Sequence, residues 1–187
     1  MIGLAKNSVC LCPYSTGWKE SFESEKALLI DCIGCEIIDV QHVGSTSIQG
    51  MQAKPVIDIA AAIRKLNDGF KLINSLESIG YHFKGSLGES HRFFFWKGNE
   101  MKNMHNLHIV EYGDENWLNF LLFRDYLNSN TVYKDRYSEL KAELALQYNY
   151  DRETYTKRKT EFIKEVIQLA RQESGKIHAA PMVQDLM

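Results

Sequence analysis

Long apolar runs are missing from this chain of 187 residues. The longest, around Pro55 to Ile63, falls well short of the roughly 18 to 20 residues that a membrane span needs, so no membrane partner is expected. An excess of charge of one sign is missing too. With 22 lysines and arginines against 24 aspartates and glutamates the formal net charge is −2, and nothing global recruits long nucleic acid or an anionic lipid surface. The opening Met1-Ile-Gly-Leu-Ala-Lys-Asn carries neither a basic segment nor an apolar run ending at a small-residue cleavage site, so the cytoplasm is the expected location. There is no internal repeat and no low-complexity segment. Scattered acids such as Glu20, Glu23 and Glu25 form no carboxylate pair suited to glycoside chemistry.

Cysteine is scarce, with four in the chain. Cys32 and Cys35 have the Cys-x-x-Cys spacing, yet they follow a helical pattern and precede a strand, whereas a redox pair wants its first thiol at a helix N-terminus. A four-thiolate zinc site with Cys10 and Cys12 lacks the usual two Cys-x-x-Cys knuckles. Buried, inert thiols are the expectation. What the chain does have is 44% hydrophobic and 25% charged residues, an ordinary globular balance. One domain over residues 1–173 is expected, with a loosely held tail over 174–187. The sequence carries no signal for oligomeric state.

Ser15 or Thr16 can cap a first helix running to about Ile30, with Trp18, Phe22 and Leu29 on one face. Gly34 stops it. Glu36 to Val43 reads as a strand, Gly44 to Lys54 as a polar loop and Pro55 to Ile63 as a second strand. Asn67 to Ile79 reads as a helix ended by Gly80. Short strands are expected at Tyr81 to Lys84, Arg92 to Lys97 and Leu107 to Tyr112, with a flexible loop from Gly85 to Ser90. From Asp114 onward the apolar period becomes helical, giving three helices broken at Asn128 to Thr131 and Asn149 to Asp151.

The densest chemistry lies in His42-Val-Gly-Ser-Thr-Ser and the strand after it. Gly44 allows close backbone approach, and the hydroxyls of Ser45, Thr46 and Ser47 with the loop amides can cradle a phosphate. Alternation on the next strand puts Ile57, Ile59, Ala61 and Ile63 on one face and Asp58, Ala60 and Ala62 on the other. A carboxylate beside two alanines fits a floor for a ligand or metal, and equally a helix packed closely over the alanines. In Phe93-Phe-Phe-Trp96, alternation divides the rings between two faces, so core packing is expected before base stacking.

These segments resemble the GrpB-like family (UPF0157), which is similar to the nucleotidyltransferase superfamily. The resemblance rests on Tyr14 and Trp18, His42-Val-Gly-Ser-Thr-Ser, Ala53-Lys-Pro-Val-Ile-Asp-Ile, Arg92-Phe-Phe-Phe, Asn106-Leu-His-Ile-Val, Phe123-Arg-Asp-Tyr-Leu and Tyr155-Thr-Lys-Arg-Lys-Thr-Glu-Phe-Ile. It implies an α+β fold, a nucleotidyltransferase-like mixed β-sheet flanked by helices with a helical C-terminal third. In that superfamily a glycine-serine turn holds phosphates, and acidic residues on adjacent strands hold magnesium for in-line transfer. Gly44, Ser45 and Asp58 match the first elements. The second carboxylate of the template, two residues on, is replaced by Ala60.

With Asp58, which matches the template, His42 and His108 are the catalytic candidates, and Gly44, Ser45, Thr46, Ser47, Lys54 and Arg92 are the expected phosphate or nucleotide contacts. Asp58, His42, His108 and His105 form the expected metal set, for magnesium or manganese or, with so many imidazoles, zinc. Of His108 and Glu111, which alternate, His108 is expected to face the site. Lys159 can turn inward because it matches a family position, while its neighbours Lys157 and Arg158 read as a solvated helix face. Two functions follow. One is a metal-dependent nucleotidyltransferase-like protein using a nucleoside triphosphate. The other is a non-catalytic domain that binds a nucleotide or phosphometabolite as an accessory or sensor, a role that family members fused to dephospho-coenzyme A kinases also imply. Ala60 leaves the choice between enzyme and binding domain open.

Overall fold

In the computed structural model, which describes residues 2–5, 8–86 and 91–179, the alternation of the Asp58 strand divides the molecule into two sides. The strands are β1 (Leu4–Ala5), β2 (Ile37–Val43), β3 (Ile57–Ile63), β4 (Tyr81–Ser86), β5 (Phe93–Gly98) and β6 (Lys102–Glu111). They form one mixed sheet in the order β2-β3-β6-β5-β4, with β1 pairing the start of β6. The central pair β3 and β6 is parallel, and the other pairings are antiparallel. The expected α+β architecture, a mixed sheet flanked by helices with a helical C-terminal third, is what the chain adopts.

On one face Ile57, Ile59, Ala61 and Ile63 pack with Leu107, Ile109, Phe93 and Phe95 beneath helix α1 (Gly17–Ile33), whose Trp18, Phe22 and Leu29 point inward as their spacing predicts. The expected helix over Asn67 to Ile79 is instead a 3₁₀ segment, Leu66–Leu72, leading into α2 (Ile73–Ser78). Gly69 explains the tight segment, because a Cβ there would stand 2.7 Å from the Phe93 ring. On the other face Ala60 and Ala62 lie fully buried with Val43 and Val110 under Trp117 of α3 (Glu115–Ser129). The alanines therefore make room for a helix, and a carboxylate at position 60 would be buried beneath it without water.

Asn130 ends α3 and caps α4 (Thr131–Gln147), accepting from the Tyr133 amide at 3.2 Å. The third expected helix divides at Lys159 into α5 (Arg152–Arg158) and α6 (Thr160–Ala179). α6 runs beyond the expected start of the tail at Ser174, since one glycine inside a long helix costs only about 1 kcal/mol. Residues 180–187 lie outside the described residues, as does most of the loop expected from Gly85 to Ser90. Among the described residues no helix is long and apolar enough to cross a membrane. Cys10 and Cys35 are exposed rather than buried, because they sit in segments flanking the sheet, and all four cysteines are free thiols.

Candidate functional site

Asp58 sits one step before the alanines, where α3 no longer covers β3. It opens onto a cavity of about 430 Å³ between the sheet and helices α3 to α6. Its parallel neighbour in register is Asn106 on β6. The Asn106 amide nitrogen donates to Asp58 Oδ1 at 2.7 Å, and Asn103 donates to Asn106 Oδ1 at 2.9 Å. A carboxylate only accepts, so this chain fixes the orientation of both amides and of the acid. Behind Asp58 lies the glycine turn. Gly44 has φ +68° and ψ −169°, a backbone region kept for glycine, and a Cβ there would stand 2.5 Å from Asp58 Oδ2.

The turn, Ser45–Ser47, is braced from outside the cavity. Ser47 Oγ donates back to the Gly44 carbonyl at 2.7 Å, so this hydroxyl closes the turn instead of facing a ligand. Asn128 of α3 accepts from the Gln49 amide at 2.9 Å. The Thr46 hydroxyl leans toward the Val56 carbonyl and therefore accepts from His42 Nε2 at 2.9 Å. Ser45, Thr46, Lys54, Arg92 and His108 line the cavity.

The other two histidines lie elsewhere. His42 pairs in register with Ile59, on the α1 face, and stacks on Phe22 with centroids 4.9 Å apart. His105 pairs with Ile57 on that same face and stands 3.9 Å from Glu25. Both are corrected from candidate metal ligands to packed residues of the far face, and the physical reason is parity: each is one strand position out of phase with Asp58. His42 acts through Thr46 as a brace for the turn. Glu111 points away as expected, accepting from the Leu66 amide at 3.0 Å. Among the described residues no three histidine, cysteine or acidic side chains come together as a metal site.

His108 is 8% exposed and lies between the rings of Phe94 and Phe120, with Nδ1 buried and unpartnered among the described residues. Burial, then the Arg92 guanidinium, lowers its pKa to about 3. A histidine kept neutral in the folded state contributes stability above its ordinary value near 6.5 that is lost as pH falls toward the folded value. Replacing His108 with phenylalanine is expected to leave a protein that retains about 2 to 3 kcal/mol more of its neutral-pH stability at about pH 4.5 than the parent does. Denaturant unfolding at a series of pH values checks this, and parallel curves for the two proteins would contradict it.

The dominant feature of the cavity is its charge. Its lining holds five cationic side chains, Lys54, Arg92, Lys141, Arg152 and Lys159, against a single carboxylate, Asp58. The Lys54 and Lys159 ammonium groups lie over the Tyr155 ring at 5.0 and 4.4 Å, and that of Lys141 lies 4.9 Å over Tyr137. Lys141 is 1% exposed and donates to the Gln52 carbonyl. Burial, followed by repulsion from Lys159 and Arg152 and opposed by Asp58, brings Lys54 down to about 7. Burial, then Lys159 and Lys54, does the same to Lys141. The Arg92 Nε is buried without a hydrogen-bond partner among the described residues.

Sequence reasoning misses Asn106, Lys141, Arg152 and Tyr155. A signal for Lys141 exists, since it falls with Tyr137, Leu140 and Leu144 on the apolar stripe of α4, where a lysine has no reason to be unless it meets a partner. Asn106 has the same parity as His108 on β6, two positions earlier.

The model of the GrpB protein family matches residues 8–169. The chain is similar to the glutamate-rich protein GrpB of Alkalihalophilus pseudofirmus, with 37% identity over 171 residues that span 89% of this chain and 98% of that protein. It is also similar to the crystal structure of the conserved protein GrpB from Enterococcus faecalis, with a TM-score of 0.82 and 31% identity over 88% of this chain and 99% of that one. A weaker likeness, TM-score 0.44 with 16% identity over 65% of this chain and 39% of that one, is to Cid1 in complex with the UTP analog UMPNPP.

Proposed function

The chain belongs to the GrpB family, and we propose that it binds a nucleotide or another phosphorylated small molecule in the cavity over Asp58, as a cytoplasmic accessory or sensor domain. The observation that carries this reading is the lining of five cations against one carboxylate. Like charges gathered in a partly dry cavity repel one another, and a polyanion relieves that repulsion while gaining charge-assisted hydrogen bonds. In this reading Ser45 and the backbone at Gly44 receive a phosphate group. Lys54, Lys141 and Lys159 take up its charge, and Arg92 pairs with two of its oxygens. Asp58, held by Asn106, accepts from a hydroxyl or amine of the ligand.

The organic part has a place of its own. A second concavity of about 710 Å³ shares Phe94, Asn106, Arg152 and Thr156 with the first and adds Trp96, which stacks on His82 at 4.5 Å. A planar base fits such a surface. Two features favour binding over transfer: Ala60 lies under α3, and the position beside Asp58 on β6 is the amide Asn106, so neither supplies a further acid.

The test is direct. Each nucleoside triphosphate, incubated with the protein and Mg²⁺ or Mn²⁺, is expected to bind saturably with no pyrophosphate released. Steady pyrophosphate release would replace this reading with the transferase one, and absence of binding for every nucleotide and for tripolyphosphate would end it. Replacing Trp96 with alanine is expected to weaken nucleotide binding about tenfold, the stacking contribution of one base. Tripolyphosphate binding should be unaffected, and equal losses for both ligands would put the base elsewhere.

A further inference from the structure

We infer that the cavity takes its polyphosphate group without a divalent ion, the anion's charge being met by the amino groups of Lys54, Lys141 and Lys159 and the guanidinium groups of Arg92 and Arg152. This inference rests on the phosphorylated-ligand reading above.

A metal-bound phosphate is commonly held through one or two carboxylates together with the phosphate's own oxygens and waters, because a hard divalent ion takes charge and oxygen ligands. Here the lining offers one carboxylate, and one of its oxygens is already engaged at 2.7 Å by Asn106. The neighbouring positions from which further acids would reach the same point are Ala60, buried under Trp117, and Asn106, an amide. His108, the remaining candidate, carries its ring between two phenylalanines beside the Arg92 guanidinium, whose positive charge opposes a second cation there. No three-ligand cluster exists among the described residues.

On the opposite wall the charge has the other sign. Lys54 faces Lys159 and Arg152 with only Asp58 to offset them, and Lys141 faces Lys159 and Lys54. Lys141 is buried, and among the described residues its ammonium, which has three donors, meets one acceptor, the Gln52 carbonyl. Arg92 keeps a buried nitrogen unpartnered among the described residues. These groups are arranged to neutralise an anion themselves, and a divalent ion brought in with it would meet the same repulsion that they exert on one another. Burial and the neighbouring cations lower both Lys54 and Lys141 to about 7, so an incoming anion draws protons onto them.

The experiment is calorimetric titration of the full chain with inorganic tripolyphosphate and with ATP, once in EDTA and once in excess Mg²⁺. Saturable binding is expected in EDTA, weakened about tenfold by Mg²⁺, which removes charge from the ligand. At about pH 8 binding should take up protons, seen as a heat that varies with the ionisation enthalpy of the buffer. Asp58→Asn separates the alternatives further. Without a metal the substitution removes a negative charge near the phosphate and is expected to tighten tripolyphosphate binding about two- to fivefold, and Lys159→Gln is expected to weaken it. Binding in Mg²⁺ or Mn²⁺ that disappears in EDTA, or its loss in Asp58→Asn, would overturn the inference while leaving the phosphorylated-ligand reading in place. No binding in any condition would overturn both.

Discussion

Replacing Gly44 by alanine is expected to lower stability by about 2 to 4 kcal/mol and to abolish binding of phosphate ligands. Two effects add. The backbone at φ +68° and ψ −169° is one that an L side chain does not adopt without strain. The new Cβ would also stand 2.5 Å from Asp58 Oδ2 and 2.9 Å from Asp58 Cβ, so either the turn or the acid must move. Both belong to the cavity, and either movement destroys the site. Gly50 supplies the control, since its φ is +76° but nothing lies within 4 Å of a Cβ built there. Gly50→Ala is therefore expected to cost about 1 kcal/mol of backbone strain and to leave binding intact. Denaturant unfolding of the two variants measures the difference. If they lose equal stability, the contact between turn and acid carries no weight.

Replacing Lys141 by methionine is expected to move stability and binding in opposite directions. The lysine is buried among Lys54 and Lys159, and its pKa falls from the ordinary 10.5 to about 7. A lysine held below its unfolded value is stabilising only in its neutral form, so its cost grows as pH falls from about 10.5 to about 7 and is fully present below that. Methionine keeps the length and the packing over Tyr137 while removing the charge. It also leaves the Gln52 carbonyl without its donor, which returns about 1 kcal/mol of the gain. The net expectation is a protein more stable by about 1 to 3 kcal/mol at neutral pH that binds tripolyphosphate at least tenfold more weakly. Thermal unfolding and titration of the same preparation read both. A variant that is less stable and binds normally would mean that Lys141 serves only to hold the loop at Gln52.

How much of this was legible beforehand follows from the kind of information each feature needs. The alternation of Ile57, Ile59, Ala61 and Ile63 against Asp58 is local, and so were both faces of β3 and the division of Phe93 and Phe95 from Phe94 and Trp96. Register between strands is not local. His42 and His105 appear beside the site in a list of segments, yet pairing with Ile59 and Ile57 places both on the α1 face. The start of β6 is hidden by composition: the expected strand begins at Leu107, while in the fold the polar Lys102-Asn-Met-His-Asn is the first half of a central strand whose amides hold Asp58. The cationic wall comes from four separate parts of the chain, at Lys54, Arg92, Lys141 and the stretch from Arg152 to Lys159, and no short window of sequence contains it. A net charge of −2 over the chain thus coexists with a cavity whose lining is strongly positive, because Asp58 is the single acid in that lining.

The central claim is that this positive wall and the Gly44 turn together hold phosphate oxygens, and a crystal structure of the protein grown with ATP and EDTA tests it most directly. The account predicts triphosphate oxygens within about 3 Å of the amino groups of Lys54, Lys141 and Lys159 and of the Arg92 guanidinium, beside Ser45, with no metal peak at Asp58. A triphosphate bound outside this cavity, or one tethered to Asp58 through a metal ion with the three lysines turned away, would contradict it.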